Sequence, residues 1–539
     1  MLFNSYEFIL LFLPITLAVF FALGALSRSA ALGWLILASV VFYAWWRPFN
    51  LWIIGPSLAV NYALASVIVR LAAAGSRPHL KSALVAIGIL FNVCLLGYFK
   101  YANFAVSIAN DVTGAHFSFE QIILPLGISF ITFQKIAFLI DVSAGRIKSF
   151  SLRDYLLFVM FFPQLIAGPI VHFREMAPQF ETLRARFDAT LFALGITLFS
   201  FGLFKKVVLA DSVAEAVSPV FAYAAAGEQA TLVQSWFAAI GFTFQIYFDF
   251  SGYSDMACGA ALLFGMRLPM NFDSPLRASN IIDFWLRWHV TLTRFLTAYV
   301  YNPLALSIAR RRAAAGKPAL GARGSKLLAF VSVLGLPTMA TMLLSGVWHG
   351  AGYTFILWGA LHGAYLIANH LWRQYGSKTH GKRMSWIESL AGFVVTLLAV
   401  VFAMVLFRAP DLGTAGNIFA GMLGMHGFGL PLGLATALGA PNLGPMLGLA
   451  GDVPLSTFAF SLATLAGVVA VALFTPDSLQ VLSRYQPTLT LPKQPPKLLL
   501  VGPELHWAPT LPWLLVTVAL IGASMVKLTG RSEFLYWQF

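Results

Sequence analysis

Residues 327–352 read LLAFVSVLGLPTMATMLLSGVWHGAG, and this stretch already indicates the fold class of the chain. The run from Leu327 to Val347 carries no charge and is long enough to cross a hydrocarbon layer of about 30 Å as a helix. It leads into His349, which has small residues on both sides. Because similar apolar runs recur along the chain, the stretch predicts one membrane helix among many, with a histidine at its end.

The composition extends this interpretation to the whole chain. Of 539 residues, 59% are hydrophobic and 10% are charged, whereas soluble domains are about 45–50% apolar and about 25% charged. We therefore expect an all-α polytopic membrane protein of about 11 to 14 helices, with a single domain over residues 1–539. The candidate spans are Phe8–Leu26, Leu32–Trp46, Leu51–Leu71, Ala83–Phe99, Ile122–Val142, Tyr155–Val171, Leu191–Val208, Ser235–Phe264, Ile281–Ile308, Leu327–Val347, Phe355–Trp372, Ile387–Phe407, Phe458–Phe474 and Leu511–Val526.

Charge, cysteine content and the first apolar run argue against several other classes. The net charge of +14 is typical of Lys and Arg gathered in cytoplasmic loops, so it does not indicate a nucleic-acid partner. Cys94 and Cys258 lie in apolar sequence, which predicts free buried thiols without a disulfide framework or a cysteine metal site. No basic residue precedes Phe8–Leu26 and no cleavage site follows it, so we expect a retained first helix.

Two apolar segments contain proline and glycine where an unbroken helix would have neither. Leu124–Ser129 reads LPLGIS and Phe162–Pro169 reads FPQLIAGP, and proline interrupts the hydrogen bonding of a helix. Each segment alone is compatible with an ordinary kinked helix. Because lipid does not tolerate exposed breaks, the pair predicts broken or re-entrant helices around a cavity.

The distribution of Lys and Arg predicts the orientation. Basic residues follow the first and third spans, whereas the link after the second carries only Arg47, so the N-terminus should face away from the cytoplasm. The basic segment Arg310–Lys326 is predicted to be a cytoplasmic loop. Residues 409–455 suggest interfacial helices and loop, and residues 475–512 suggest an extramembrane connection.

His349 is the leading candidate for chemistry. Ionisable groups in membrane helices are costly and therefore functional candidates, and imidazole suits proton transfer near neutral pH. The small neighbours of His349 allow close approach by a ligand or another helix, and Trp348 precedes it. The alternative is a structural histidine that only donates or accepts a hydrogen bond.

A second candidate, His289, follows the aromatic segment Asp283–Trp288. Asp283 and Arg287 are four residues apart and are able to pair on one helix face. The same residues also suit an interfacial belt of aromatic rings and charges.

A third polar group lies in an otherwise apolar run. The segment Gln245–Asp255 contains Asp249, Ser251, Tyr253 and Asp255, which favours either the wall of a hydrated cavity or structural polar contacts between helices. We list these four residues, with Trp348 and Gln134, as candidate substrate-binding residues.

Missing motifs limit the possible chemistry. There is no phosphate-binding loop of the form Gly-x4-Gly-Lys-Ser/Thr and no His-Glu-x-x-His zinc pair, so we expect neither nucleotide hydrolysis nor a metal site. Thr354 and Arg294 stand five positions after His349 and His289, so the His-x4-Asp pattern of glycerolipid acyltransferases is also missing.

Taken in order, the motifs resemble those of the membrane-bound O-acyltransferase family, and within it the alginate O-acetyltransferase branch. They lie mainly in a core of about residues 120–365. The helices and loops of residues 409–539 come after this core. The matching segments are Leu124–Phe130, Thr132–Gln134, Phe162–Ile170, Tyr247–Ala257, Phe284–His289, Val347–Gly350 and Phe534–Phe539.

The resemblance implies a ring of helices around a central funnel, with His349 matching the invariant family histidine and His289 the upstream one. It also implies acetyl-CoA as a cytoplasmic donor rather than a bound cofactor, and a polysaccharide acceptor on the far side. We expect His349 to act as general base while His289 orients the reactants or stabilises developing charge. The pattern departs at Phe295–Leu306, where the usual Arg-Asp pair is replaced by Thr297 and Ala298.

The expected location is the inner membrane of a bacterium, with membrane lipid and a periplasmic acetyltransferase as partners. Three alternatives remain at this point: D-alanyl transfer to teichoic acid, acylation of a lipid or protein, and a transporter without chemistry. Transporters commonly contain repeated halves, and no such repeat is evident.

Overall fold

The computed structural model describes residues 1–75, 77–118, 120, 122–317, 327–376, 386–439, 447–448, 451–491, 505–528 and 535. The first half of the chain consists of helices joined by short links, several of them capped by Ser or Asp side chains that accept from backbone N–H groups. These helices are α1 Leu13–Leu26, α2 Arg28–Ala44, α3 Asn50–Ala73, α4 Pro78–Leu96, α5 Ala102–Thr113, α6 Ile128–Ser143, α7 Leu152–Met160, α8 Phe162–Leu165, α9 Phe173–Thr182, α10 Ala189–Phe204, α11 Asp211–Ala225 and α12 Leu232–Leu263.

The second half is also helical. A short antiparallel pair, β1 Leu447–Gly448 and β2 Gly451–Asp452, is the only strand pairing among the described residues. The helices are α13 Ile281–Trp285, α14 Val290–Leu296, α15 Asn302–Ala314, α16 Leu327–Phe330, α17 Leu336–His349, α18 Tyr353–Leu371, α19 Trp386–Arg408, α20 Leu412–Met422, α21 Leu432–Ala437, α22 Leu455–Phe474, α23 Ser478–Val481 and α24 Leu511–Lys527.

Short π-helical and 3₁₀ turns connect or extend several of these helices. The π-helical turns include Glu7–Phe12, Gly97–Tyr101, Lys205–Ala210, Thr297–Tyr301, Val331–Gly335 and Trp372–Gly376, and the 3₁₀ turns include Pro275–Arg277 and Ser483–Tyr485. Because the π-helical turns continue the helical backbone, Pro78–Thr113 forms one continuous helical segment.

Within the described residues, seven helical segments are long and apolar enough to cross a membrane. They are Glu7–Leu26, Asn50–Ala73, Pro78–Thr113, Ala189–Ala225, Leu327–His349, Trp386–Arg408 and Leu455–Phe474. The shorter apolar helices α2 and α24 accompany them. The predicted all-α polytopic membrane fold is therefore confirmed.

Two predicted spans are broken in the structure. The candidate Ile281–Ile308 contains a turn at residues 286–289 between α13 and α14. The candidate Tyr155–Val171 consists of α7, the four-residue α8 and an irregular return. The second break places Ile166 and Ala167 next to the cavity described below.

Other regional predictions have mixed outcomes. Residues 409–455 contain α20, α21 and the strand pair, as expected of helices and loop, although 440–446 and 449–450 lie outside the described residues. Three further pieces also lie outside them: residues 318–326 of the basic segment, residues 492–504 of the 475–512 connection, and the closing motif except Leu535. Cys258 is buried as expected, whereas Cys94 is exposed, so the prediction of burial was wrong there.

The contact between α10 and α12 explains how the centre of the fold is packed. A Cβ atom added to Gly252 would lie 2.7 Å from the Gly202 carbonyl oxygen, and one added to Gly259 would lie 2.7 Å from the Gly195 carbonyl oxygen. Both distances are shorter than any van der Waals contact. The two helices therefore touch through their backbones, as small residues permit in membrane proteins.

Candidate functional site

A cavity of about 490 Å³ lies where the two broken segments meet the end of α17. Residues from both proline-glycine segments line it, so the predicted cavity between broken helices is confirmed. The lining residues are Trp46, Arg47, Asn50, Lys100, Ile123, Leu124, Pro125, Leu126, Gly127, Ile128, Ser129, Phe130, Ile166, Ala167, Trp348 and His349.

Gly127 shows why this wall has to be irregular. It adopts a left-handed backbone conformation with φ of +66°, and a Cβ atom there would lie 2.8 Å from the Leu165 carbonyl oxygen. A side chain is excluded by both the conformation and the close approach. The loop before α6 and the short α8 thus pack backbone to backbone beside the cavity.

His349 is the last residue of α17, and it lines this cavity. It is 5% exposed, and its ring lies 5.1 Å from that of Trp358 and 5.2 Å from that of Phe407, measured between centroids. A Cβ atom at Gly346 would collide with the Phe355 carbonyl oxygen, so glycine lets α18 approach α17 closely. The Gly-rich setting noted in the sequence thus holds the imidazole among aromatic rings.

His289 lies close to His349, with ring centroids 6.5 Å apart. It is completely buried and has a left-handed backbone with φ of +44°, which is unusual for a residue other than glycine. Such backbone strain persists only where the surrounding structure enforces it, and it is common at functional sites. The two imidazoles therefore border a shared region, although of the two only His349 lines the cavity.

The ring of His289 is oriented by Asn271. The Asn271 side-chain oxygen accepts the Thr291 backbone N–H at 3.3 Å and the Thr291 hydroxyl at 2.8 Å, so it also acts as acceptor toward His289 Nδ1 at 2.9 Å. The Asn271 amide in turn donates to the Ser254 hydroxyl at 3.1 Å. Neutral His289 therefore carries its proton on Nδ1 and its lone pair on Nε2.

The segment before His289 is part of a buried network, which disfavours an interfacial belt. Trp285 and Trp288 are 6% and 4% exposed. The predicted pair between Arg287 and Asp283 forms at 3.0 Å, and Arg287 also contacts Asp273 at 3.2 Å. These ion pairs fix the turn that leads into His289.

Among the predicted substrate-binding residues, only Trp348 lines this cavity. Asp249 pairs with Lys206 at 2.5 Å, and Asp255 pairs with Lys205 at 2.8 Å. Ser251 and Gln134 are buried in α12 and α6, and Tyr253 stacks on the ring of Phe3. This arrangement favours the alternative of structural polar contacts for that segment.

Asp477 completes the ion pairs around Lys205. The Lys205 ammonium contacts Asp477 at 3.0 Å, and the hydroxyl of Ser478 also donates to that carboxylate. Burial alone would raise the pKa of Asp477, but Lys205 and the hydrogen bonds of Ser478 and Tyr247 lower the pKa to about 2. The carboxylate is therefore ionised at neutral pH and holds the end of α22 against α10 and α12.

Sequence analysis missed two residues that contact the end of α17 directly. The Lys100 ammonium donates to the Trp348 carbonyl at 2.5 Å and to the His349 carbonyl at 3.0 Å. The Tyr101 hydroxyl donates to the Val347 carbonyl at 2.7 Å. A lysine directly after an apolar run was the only local signal, and it is also common at membrane interfaces.

Comparison with known proteins yields matches over most of the chain. The model of MBOAT, the membrane-bound O-acyltransferase family, matches residues 87–316. A peptidoglycan O-acetyltransferase of Helicobacter pylori is 38% identical over 80% of this chain and 81% of its own length. A probable alginate O-acetylase of Pseudomonas aeruginosa is 36% identical, over 78% of this chain and 75% of its own length. A teichoic acid D-alanyltransferase of Streptococcus thermophilus is 24% identical over 52% and 68%.

Proposed function

Because this chain belongs to the membrane-bound O-acyltransferase family, in its alginate O-acetylase-like branch, we propose that it moves an acetyl group from acetyl-CoA to a glycan outside the cytoplasm. As a member of the family it is an O-acyltransferase embedded in the membrane by several helices. The two relatives of highest identity reported above are named for acetyl transfer to peptidoglycan and to alginate. Acetyl is therefore the group to test first.

The observation that carries this proposal is a pair of neighbouring buried imidazoles, one of which, that of His349, belongs to the cavity lining. His349 and His289 face each other with ring centroids 6.5 Å apart, and Asn271 fixes the tautomer of His289. Imidazole is matched to proton transfer at neutral pH, and the buried setting limits attack by water on a thioester.

In the proposed reaction, His349 accepts the proton of an acceptor hydroxyl as that oxygen bonds to the thioester carbonyl carbon. The carbon–sulfur bond then breaks, and the proton passes from His349 to the leaving thiolate, so the imidazole is regenerated. His289 accepts a hydrogen bond at Nε2 and orients the reacting groups. Its tautomer favours this orienting role over donation to a developing negative charge.

We assign the two substrates to two different parts of the fold. Arg310–Arg312, at the end of α15, are suited to the phosphates of acetyl-CoA, because Arg binds phosphate through several N–H groups. The cavity with Trp46 and Arg47 at its rim is suited to the acceptor or to a periplasmic acetyltransferase that completes the transfer. We propose the bacterial inner membrane as its location, with the orientation expected from the loop charges.

The test combines a purified reaction with analysis of the cell. Protein in liposomes is given acetyl-CoA with isotopically labelled acetyl and the exported polysaccharide of its host, and thiol release and polymer acetylation are both measured. A deletion strain is complemented with the wild type or with His349→Ala. Lost acetyl in the deletion strain that only the wild type restores supports the proposal. Unchanged acetyl content together with a lost acyl group on a lipid would contradict it.

Peptidoglycan is a second candidate acceptor, because the 38% identical relative bears that name. The same deletion strain decides between them when acetyl is measured separately in purified peptidoglycan and in exported polysaccharide. D-alanyl transfer is less favoured, since the relative of that name is 24% identical over about half of this chain. Loss of D-alanine with unchanged acetyl in both polymers would nevertheless establish it.

A further inference from the structure

Lys100 occupies an unusual place for a lysine in a membrane span. It belongs to the apolar segment Pro78–Thr113, in the π-helical turn Gly97–Tyr101 that follows α4. Lysines near the ends of such segments usually extend their ammonium groups toward the interface. The Lys100 side chain instead reaches the protein interior, where it contacts residues 248 and 249 positions away in sequence.

Its partners are the last carbonyl groups of α17. The final four carbonyls of any helix lack partners within the helix, and they form the negative end of its dipole. Here Lys100 donates to the carbonyls of Trp348 and His349, while Tyr101 donates to that of Val347. Two neighbouring residues thus hold three consecutive carbonyls of the turn that carries His349.

The charge of Lys100, which is partly buried, is stabilised differently from the charges of the buried lysines Lys205 and Lys206. Lys205 and Lys206 each contact two carboxylates. In the part of the chain that the structure describes, no carboxylate lies within 4 Å of the Lys100 ammonium. The ammonium is instead held by two carbonyl oxygens and lies 6.0 Å from the centre of the Trp348 ring.

Lys100 also lines the same cavity as His349. A partly buried cation without a carboxylate partner is costly in a membrane span, so its presence there calls for a role that a neutral residue does not fill. A neutral residue is able to cap the helix, as the hydroxyl of Tyr101 does at Val347, so capping alone does not require a lysine. The combination of charge, position and cavity singles out Lys100.

We infer that Lys100 is a positioning residue for the acyl transfer proposed above: it anchors the final turn of α17 so that the imidazole of His349 faces His289. The inference rests on the proposed role of His349. The Lys100 ammonium donates two hydrogen bonds to the final turn of α17, which fixes that turn and therefore the direction of the His349 ring. Misplacement of a catalytic group by about 1 Å costs about 10²-fold in rate.

The test compares Lys100→Met with Lys135→Met, a matched control. Lys135 is a fully buried lysine in α6, and its ammonium donates to Ser57 of α3 rather than to a carbonyl of α17. For each purified variant, kcat and KM for acetyl-CoA are measured by thiol release in liposomes, with the host polysaccharide as acceptor. We expect Lys100→Met to lower kcat about 10²-fold with little change in KM, and Lys135→Met to retain most of the wild-type kcat.

Rescue separates positioning from general stability. Arginine retains the charge and several N–H donors, so Lys100→Arg should recover at least about tenfold of the kcat lost in Lys100→Met. Tyr101→Phe removes only the hydrogen bond to Val347 and should give a smaller loss. If Lys100→Met does not fold, Lys100→Arg and Tyr101→Phe still test the anchor.

Three outcomes would overturn the inference. They are wild-type kcat in Lys100→Met, a rise in KM with unchanged kcat, and equal loss in the Met and Arg variants. His349→Ala in the same assay shows which idea has failed. Wild-type kcat there would refute the proposed function itself, whereas an inactive His349→Ala beside a fully active Lys100→Met would refute only the role of Lys100.

Discussion

Replacing Asn271 tests whether the tautomer of His289 matters for catalysis. In Asn271→Leu, an apolar side chain of similar size removes the oxygen that accepts from His289 Nδ1 and from both the backbone and the hydroxyl of Thr291. The hydroxyl can rotate to another acceptor, but the backbone N–H of Thr291 and the Nδ1 atom of His289 remain buried without a partner in either tautomer. At about 1–3 kcal/mol for each unsatisfied polar group, the variant should lose about 2–6 kcal/mol of folding free energy.

Asn271→Leu should lower the rate of acyl transfer by more than its loss of folding free energy alone would suggest. Without the acceptor, His289 is free to place its proton on Nε2, which removes the lone pair from the shared region beside His349. Loss of a group that fixes a catalytic tautomer costs up to about 10⁴-fold in the serine protease example, and we expect at least about 10²-fold here.

Asn271→Asp is the informative companion variant. A carboxylate still accepts from His289 and Thr291, and the Ser254 hydroxyl is able to rotate and donate to it. Activity should therefore stay within about tenfold of the wild type, while Asn271→Leu loses most of it. Thiol release by purified protein and thermal unfolding in detergent are measured together. A folded Asn271→Leu variant with wild-type kcat would refute the orienting role of Asn271.

Four further predictions follow from the site and its supports. His349→Ala should insert normally and lose about 10²- to 10⁴-fold in transfer, and undiminished product acetylation would exclude a general base there. Acyl transfer should be strongly impaired in His289→Ala and less impaired in Asp283→Asn. Equal, near-native transfer rates in both variants would contradict a role for this segment in the reaction. Lys205→Met leaves buried carboxylates without their cation and should cost about 3–5 kcal/mol in thermal unfolding, which an unchanged melting temperature would contradict. Residues 310–317 should be labelled by impermeant reagents only from the cytoplasmic side, since they carry the densest positive charge.

Much of the fold could be predicted from hydrophobic runs alone. Predicted spans such as Phe8–Leu26 and Ile387–Phe407 agree with the structure to within a residue at each end, because helix length in a membrane is set by bilayer thickness. The broken segments were also predictable, since proline and glycine act locally. The turn within residues 281–308 was not, because buried ion pairs of Arg287 stabilise it against continuation of the helix.

The site was only partly predictable, for a different reason. His349 and His289 stand out because imidazoles are rare in apolar runs. Lys100 and Asn271 act through contacts that no periodic pattern encodes, across 248 residues in the first case and 18 in the second. The carboxylates of α12 were noticed, but their lysine partners on the neighbouring helix were not, although the Lys205-Lys206 pair stands out in an apolar stretch.

The glycine contacts between α10 and α12 bear on how sequence variation in this protein should be interpreted. Gly252 is two residues from Ser254, which holds Asn271 and through it His289. A side chain added at Gly202 would push α12 away and shift that chain of hydrogen bonds. A mutational scan should therefore find inactive variants at Gly202 even though α10 contributes no residue to the cavity lining. Inactivity at that position would report the spacing of two helices, and a screen for substrate-contacting residues should discount it.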